Sequence, residues 1–272
     1  MTNERSTPTA PLPTYGVYAV KYAERDARRT DHFLGGDPHD APMPMDYFVW
    51  AVVGADRTWV VDTGFDESDA ASRRRRLVRS VTDALATIDI DASTVADVIV
   101  THFHYDHIGG HAQFPAATFH VQDREMEFAT GRHMVDPATN HSFTAAHVAD
   151  FVLLVHAGRV AFHDGTEQLA PGLVVHHIGG HTAGLQIVRV HTDAGWLVLA
   201  SDASHYFENM ESRRPYSVVF DASAVVAGFD VIRSLADRPE LVVPGHDPLV
   251  LRRFEPVRGD LEGIAVRLDR PH

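Results

Sequence analysis

The chain has 272 residues, 44% of them hydrophobic and 22% charged, which suits one sizeable core that needs no covalent staple to fold. It contains no cysteine, so disulfides, thiolate metal ligands and a cysteine nucleophile are excluded, and nothing points to an oxidising compartment. With 24 Lys and Arg against 37 Asp and Glu, the net charge of −13 repels phosphate backbones and anionic lipid, so neither nucleic acid nor a membrane surface is an expected partner.

Residues 1–14 are polar and proline-bearing and are read as a flexible tail. They carry no apolar leader, and no later segment approaches the ~20 apolar residues of a transmembrane helix, so a cytoplasmic location is the expectation. Tyr15 to Tyr22, Asp46 to Gly54 and Thr58 to Asp62 are rich in Val, Tyr, Phe and Trp and predict three strands. Leu77, Val78, Val81, Ala84, Leu85 and Ile88 recur at helical spacing. The run Arg73 to Arg76 ahead of them is read as the solvated start of that helix rather than as a binding patch. Val98 to Val100 predicts a short strand that stops at Thr101.

The segment 123–164 mixes helical stretches, Asp123 to Thr130 and Thr144 to Leu154, with Gly131 and Pro137, and is read as a cap beside a site. Leu173 to Ile178, Trp196 to Ala200 and Leu241 to Val243 predict further strands, and Val225, Val226, Phe229, Ile232 and Leu235 another helix. The mixture predicts one α/β domain over residues 15–272.

Nineteen histidines are present, and the stretch from Thr101 to Gly110 holds three of them with an aspartate: His102, His104, Asp106 and His107. Imidazole and carboxylate are what zinc and similar cations take where thiolate is missing. His102 and His104 lie two apart, so in an extended segment both rings face one side; Asp106 and His107 then follow on a turn and can serve a neighbouring ion. Gly109 and Gly110 would let the backbone pass closely and start a helix. Three more candidates each follow an apolar strand: His181 after Gly179-Gly180, Asp202 after Ser201, and His246 after Pro244-Gly245. Strand ends are rigid mounts for ligands, and these seven residues make an inventory for two ions, with Asp202 able to bridge them. The lone His39, His133, His147 and His191 are read as ordinary surface or core residues.

With its His-x-His-x-Asp-His motif, the later His181, Asp202 and His246, and Asp62 in Val-Val-Asp-Thr-Gly, the sequence resembles the metallo-β-lactamase superfamily from residue 15 to about 250. The resemblance implies an αββα sandwich in a single domain. It also implies one ion on His102, His104 and His181, a second on Asp106, His107 and His246, a bridging Asp202, and Asp62 supporting the metal loop from behind. The cations implied are two divalent ions, zinc foremost, with iron, manganese or cobalt suited to the same donors.

Within the superfamily the pattern is similar to the N-acyl homoserine lactonases of the quorum-quenching branch. Resistance β-lactamases lack the bridging aspartate, and the stretch after His246 is short for the helical domain of glyoxalase-II-like thioesterases. The implied reaction is hydrolysis of the lactone ester bond by a metal-bridging hydroxide, with Asp106 carrying its proton to the leaving oxygen. Other small lactones, esters or thioesters, as in γ-butyrolactone and pyridoxolactone hydrolases, are the alternative; an iron-dependent redox member ranks behind them. Such a protein takes a small-molecule lactone as its partner, and homodimers occur in that branch.

Lactonases of that branch place a carbonyl-polarising tyrosine three residues after the bridging aspartate. Here His205 holds that position and Tyr206 comes next, so Tyr206 and His205 are the candidates for the role. Met43, Met45, Tyr47 and Phe48 are candidates to line an acyl pocket.

Overall fold

A computed structural model describes residues 11–272. The expected tail, residues 1–14, thus falls mostly outside the described residues; at its end Pro13 O is already in contact with His191 Nδ1 at 2.9 Å. Fourteen strands are formed among the described residues. In the first half they are β1 (Gly16–Arg25), β2 (Met45–Val53), β3 (Thr58–Val61), β4 (Arg76–Leu77), β5 (Asp97–Ile99), β6 (Thr118–Gln122) and β7 (Val160–His163). The second half supplies β8 (Thr166–Ala170), β9 (Leu173–His177), β10 (Gln186–Thr192), β11 (Gly195–Ser201), β12 (Val242–Pro244), β13 (Phe254–Pro256) and β14 (Ala265–Pro271).

One sheet runs β13-β14-β1-β2-β3-β5-β6-β7, with β4 on β1; the other runs β12-β11-β10-β9-β8. The period of two along the strands explains how they stack. In β2, Phe48, Trp50 and Val52 point into the core between the sheets, where they meet Leu173, Val175, Val188 and Leu199. Tyr47, Val49 and Ala51 point the other way, into a second core shared with the helix Val81–Ala86 and with Phe151 of the helix Ala145–His156. The helix Ala222–Leu235 puts Val225, Phe229 and Ile232 onto the second sheet. The layers are therefore helix, sheet, sheet, helix, as the resemblance implied. No helix among the described residues is long and apolar enough to cross a membrane.

The structure corrects two local expectations and refines a third. The helix foreseen from Leu77 forms only over Val81–Ala86, because Arg76–Leu77 pairs with Glu24 and Ala23 as β4. The arginine run is not the start of a helix: Arg73 ends the helix Glu67–Arg73, and Arg74 takes a left-handed conformation (φ 55°) that turns the chain. Gly109 and Gly110 join two short helices, Gly109 closing Tyr105–Ile108 and Gly110 standing at the start of the single turn His111–Gln113. Their role is close approach, since a Cβ on Gly110 would stand 2.1 Å from Thr63 O.

Segment 123–164 is only partly a cap. Its helices pack on the first sheet and β7 is that sheet's edge, while His141 and Ser142 alone border the cavity described below.

Candidate metal centre

Parallel strands bring their carboxyl ends to one side, and both sheets use this. β3 and β5 are parallel and lead into Asp62 and into Thr101–His107; β11 and β12 are parallel and lead into Asp202 and His246. His181 reaches the same place after β9, through Gly179 and Gly180 in positive-φ conformations. His104 caps the one-turn helix that carries Asp106 and His107.

The side chains form three overlapping donor groups: His102, His104, His181 and Asp202; Asp106, His107 and His246; and Asp202, His205 and His246. Within each group the donor atoms all lie within 4.8 Å of one another. The Asp202 carboxylate divides between the first two. Its Oδ2 is 3.7 Å from His102 Nε2 and 3.3 Å from His181 Nε2, whereas its Oδ1 is 3.5 Å from His107 Nε2 and 3.0 Å from His246 Nε2. Asp106 Oδ2 lies 3.8 Å from His107 Nε2 and 3.9 Å from His246 Nε2. Gly245 makes room for this carboxylate, for a Cβ there would stand 2.7 Å from Asp202 Oδ1.

These residues fit divalent cations on their own chemistry. His102 Nε2, His107 Nε2 and Asp202 Oδ1 are buried without a hydrogen-bond partner, a costly state for three polar atoms converging on one spot. The far nitrogens of the rings are engaged: His107 Nδ1 with Asp62 Oδ2 (2.7 Å), His181 Nδ1 with Val218 O (2.8 Å) and His246 Nδ1 with Asp46 O (2.9 Å). Such bonds place the proton on Nδ1 and aim the Nε2 lone pair inward. Asp62 is itself held by Thr101 N (2.7 Å) and Thr101 Oγ1 (2.8 Å).

Burial pushes His102 and His104 well below the ordinary histidine range, so both rings are neutral and free to ligate. Burial works against charge on His107 too, but the carboxylates of Asp202, Asp62 and Asp106 outweigh it and raise this ring. Burial alone would raise Asp202; the raised His246 and His107 beside it instead hold it well below the usual carboxylate range. Packing so many donors without cations thus leaves strong uncompensated fields, which bound cations would neutralise.

The two candidates for carbonyl polarisation fall in different places. Tyr206 is turned away: its hydroxyl donates to Pro44 O (3.1 Å), lies 3.0 Å from His32 Nε2, and borders a separate surface cavity with Met43 and Phe207. The reason is the helix Phe207–Ser212, whose capping Tyr206 N–H donates to Asn209 Oδ1 and fixes the ring under the first sheet. His205 does border the site, with Nε2 3.0 Å from Asp202 Oδ2. Of the suggested acyl-pocket residues, Met45 and Tyr47 line the site cavity, Met43 lies in the other one, and Phe48 is in the core between the sheets.

Three contributors had no local signal in sequence. Tyr216 stacks flat on His205, ring centroids 3.6 Å apart, and borders the cavity. Tyr105, inside the histidine motif, holds its hydroxyl 3.3 Å from that of Tyr47. Glu125, fully buried, accepts from Phe103 N (2.8 Å), Thr182 Oγ1 (2.6 Å) and Gly184 N (3.0 Å) and so ties the His102–His104 loop to the loop after His181. Burial raises Glu125 to about 7. All three are brought in by tertiary packing from outside, or between, the ligand positions.

The cavity over these donors measures about 460 Å³. Its aliphatic lining is limited to Met45 and Val218; the remainder is aromatic, charged or hydroxylic.

Comparison with known proteins agrees with this arrangement. A family model described as the metallo-beta-lactamase superfamily matches residues 43–246. Among curated proteins, the N-acyl homoserine lactonase AttM of Azorhizobium caulinodans is 29% identical over 184 residues, covering 63% of this chain and 65% of that protein. An N-acyl homoserine lactonase of a Bacillus species is 25% identical over 169 residues, 61% of this chain and 62% of its own length. The matched region thus spans less than two thirds of these relatives. Among solved structures, a quorum-quenching N-acyl homoserine lactone lactonase superposes with a TM-score of 0.71 at 19% identity, covering 88% of this chain and 94% of that one. The dizinc quorum-quenching lactonase AidC gives 0.67 at 18%, covering 88% and 90%. Motif, layer order and family match lead to one conclusion: the chain belongs to the metallo-β-lactamase superfamily.

Proposed function

We propose that this protein is a metal-dependent hydrolase that opens lactone rings, with N-acyl homoserine lactones as the leading substrate class. The observation that carries this is the divided Asp202 carboxylate, one oxygen towards His102 and His181 and the other towards His107 and His246, at the floor of an open cavity. A closed structural zinc site satisfies one ion with four ligands and presents no such face to a cavity. The named activities of the relatives support the reading.

His102, His104 and His181 would hold one divalent cation, Asp106, His107 and His246 the other, and Asp202 both. When bound, such a pair supplies acidified water near neutral pH and Lewis-acid polarisation of an ester carbonyl. The chain's own residues do the rest. Asp106 borders the cavity and can hold a proton on its carboxylate and pass it to the departing ring oxygen. The Tyr216 phenol, which burial keeps protonated, is a donor for the carbonyl oxygen, the role foreseen for Tyr206. His205 is neutral, its pKa lowered to about 3 by burial, and its contact with Asp202 orients that carboxylate.

A second reading is favoured by the cavity lining. With Met45 and Val218 as its aliphatic members, the cavity suits a compact polar lactone or ester better than a long acyl chain.

The test is to purify the protein without chelator, count divalent ions per chain, and follow acid release. Substrates would be short- and long-chain N-acyl homoserine lactones, γ-butyrolactone and a thioester. About two ions with rapid acid release from a lactone supports the proposal, and the order of substrates decides between the two readings. Two ions with activity on the thioester alone would move the protein to another hydrolase class. One ion or none would remove the dinuclear site itself.

A further inference from the structure

The arginine run that sequence placed on a solvated helix borders the candidate active site instead. The turn at Arg74 sends Arg73 and Arg75 to the cavity, where Arg25 joins them from the end of β1, while Arg74 and Arg76 remain exposed. Arg73 is committed to structure: it donates to His141 O (2.8 Å), Phe143 O (3.3 Å) and Thr144 Oγ1 (3.2 Å), and its guanidinium lies over the Tyr105 ring at 4.0 Å. Arg75 is aimed by two bonds, Nε to the Tyr105 hydroxyl (3.0 Å) and Nη1 to Arg73 O (2.6 Å), which leave Nη2 unused. The Arg25 guanidinium makes no hydrogen bond among the described residues, although its side chain is only 18% exposed; its ion-pair partner Asp31 stands 3.8 Å away.

Two half-buried guanidiniums that repel each other stand beside a centre where two cations would add more positive charge. No carboxylate lies within ion-pair distance of Arg75 among the described residues, and Asp106, the acid it feels across the cavity, belongs to the metal-facing set. In a chain of net charge −13 acids to pair them are plentiful, yet against this pair only Asp31 is placed, 3.8 Å from Arg25 Nη2. A fork of guanidinium donors held rigidly by aromatic and backbone partners is the usual receptor for a carboxylate or a phosphate.

We infer that the substrate carries, beyond the bond that is cut, a second and anionic group, a carboxylate or a phosphate, seated by Arg25 and Arg75 with Arg73 positioning Arg75. The inference rests on the hydrolase reading of the same cavity. It narrows the substrate class to compact anionic lactones or esters: a neutral acyl homoserine lactone would leave Arg75 without a carboxylate or phosphate partner and Arg25 with only the Asp31 contact at 3.8 Å.

The test compares three probes on the metal-loaded enzyme: γ-butyrolactone, the same ring bearing a carboxylate, and the same ring bearing a phosphomonoester. The expected result is a preference in kcat/KM of at least ~10-fold for one charged probe, in line with charge-assisted hydrogen bonds, and which one it is identifies the anion. In Arg75→Met, and separately in Arg25→Met, that ratio of charged to neutral turnover should fall roughly 10-fold or more, mainly through KM, with Arg75→Lys regaining part of it. Equal or better turnover of the neutral lactone by the unaltered enzyme overturns the inference and leaves the hydrolase reading standing. If no lactone is turned over, that reading fails, and calorimetric titration with glutarate and with inorganic phosphate decides the clamp: affinity lost in both arginine variants supports it, and affinity unchanged overturns it.

Discussion

His205 Nε2 lies 3.0 Å from Asp202 Oδ2, the same oxygen that faces His102 and His181. A histidine in this place is drawn to the carboxylate rather than to the cavity, and its other nitrogen, Nδ1, is buried without a partner. The ring is clamped on its flat side by Tyr216. On the proposed function, His205 steadies the carboxylate and Tyr216 offers the phenol.

Tyr216→Phe should therefore lower kcat by roughly 10- to 100-fold with a smaller change in KM, as loss of a donor to a developing oxyanion does. Tyr206→Phe, which removes the hydroxyl's contacts with Pro44 O and His32 Nε2, should keep kcat within a factor of two or so while costing about 1 kcal/mol of stability. Steady-state kinetics and denaturant melts of the two variants side by side check this. The reverse pattern would return the role to Tyr206.

Chelation should destabilise the chain visibly. Each cation present at ~100 times its dissociation constant adds about 2.7 kcal/mol to the folded state, which for a chain of this size is a fall of about 5–10 °C in Tm when one ion is removed and about twice that when both are. Asp62→Asn leaves the ligands intact but weakens the hold on His107 Nδ1, so affinity for one of the two ions should drop by about 10- to 100-fold. Metal titration followed by calorimetry distinguishes one weakened site from two.

Gly245→Ala forces a Cβ against Asp202 Oδ1. The carboxylate must rotate or shift, and a displacement of about 1 Å at a reacting centre costs on the order of 100-fold in rate. The expected outcome is a folded protein that retains fewer than two ions and has lost activity to that extent, read by metal analysis and circular dichroism on one preparation.

Glu125 gives a pH dependence with a definite sign. Burial raises its folded value from 4.5 to about 7, so the native state binds the proton more tightly than the unfolded chain. Its contribution to stability is complete below about 4.5 and is lost as pH rises through about 7, amounting to roughly 3 kcal/mol over that window. Glu125→Gln cannot titrate, so the stability of the unaltered protein relative to this variant should decline between pH 5 and pH 8. Denaturant midpoints of both metal-free proteins measure it; a constant difference would show that Glu125 is ionised throughout.

The donor set was legible in sequence because its chemistry is local. Three of the seven positions lie within six residues of His102, and the other three follow apolar strands whose ends are stiff enough to mount them. The order of layers was legible for a similar reason, since alternation such as Phe48-Val49-Trp50-Ala51 carries the assignment of faces within itself. Tyr206 was misplaced because motif spacing does not say which way a ring points after a turn, whereas the alternation along β2 itself puts Phe48 on the face opposite Tyr47 and Val49.

The sequence by itself thus determined the fold class and brought forward the histidines and aspartates that the structure places together, both of which depend on residue type and short spacing. Only the tertiary structure decided what surrounds them. Glu125 reaches Thr182 across 57 positions, Tyr216 lies on His205 from a separate loop, and Arg75 joins Arg25 because one left-handed residue at Arg74 redirects the chain. Such contacts between segments distant in sequence arise from the packing of two sheets and their helices, and no local pattern encodes them.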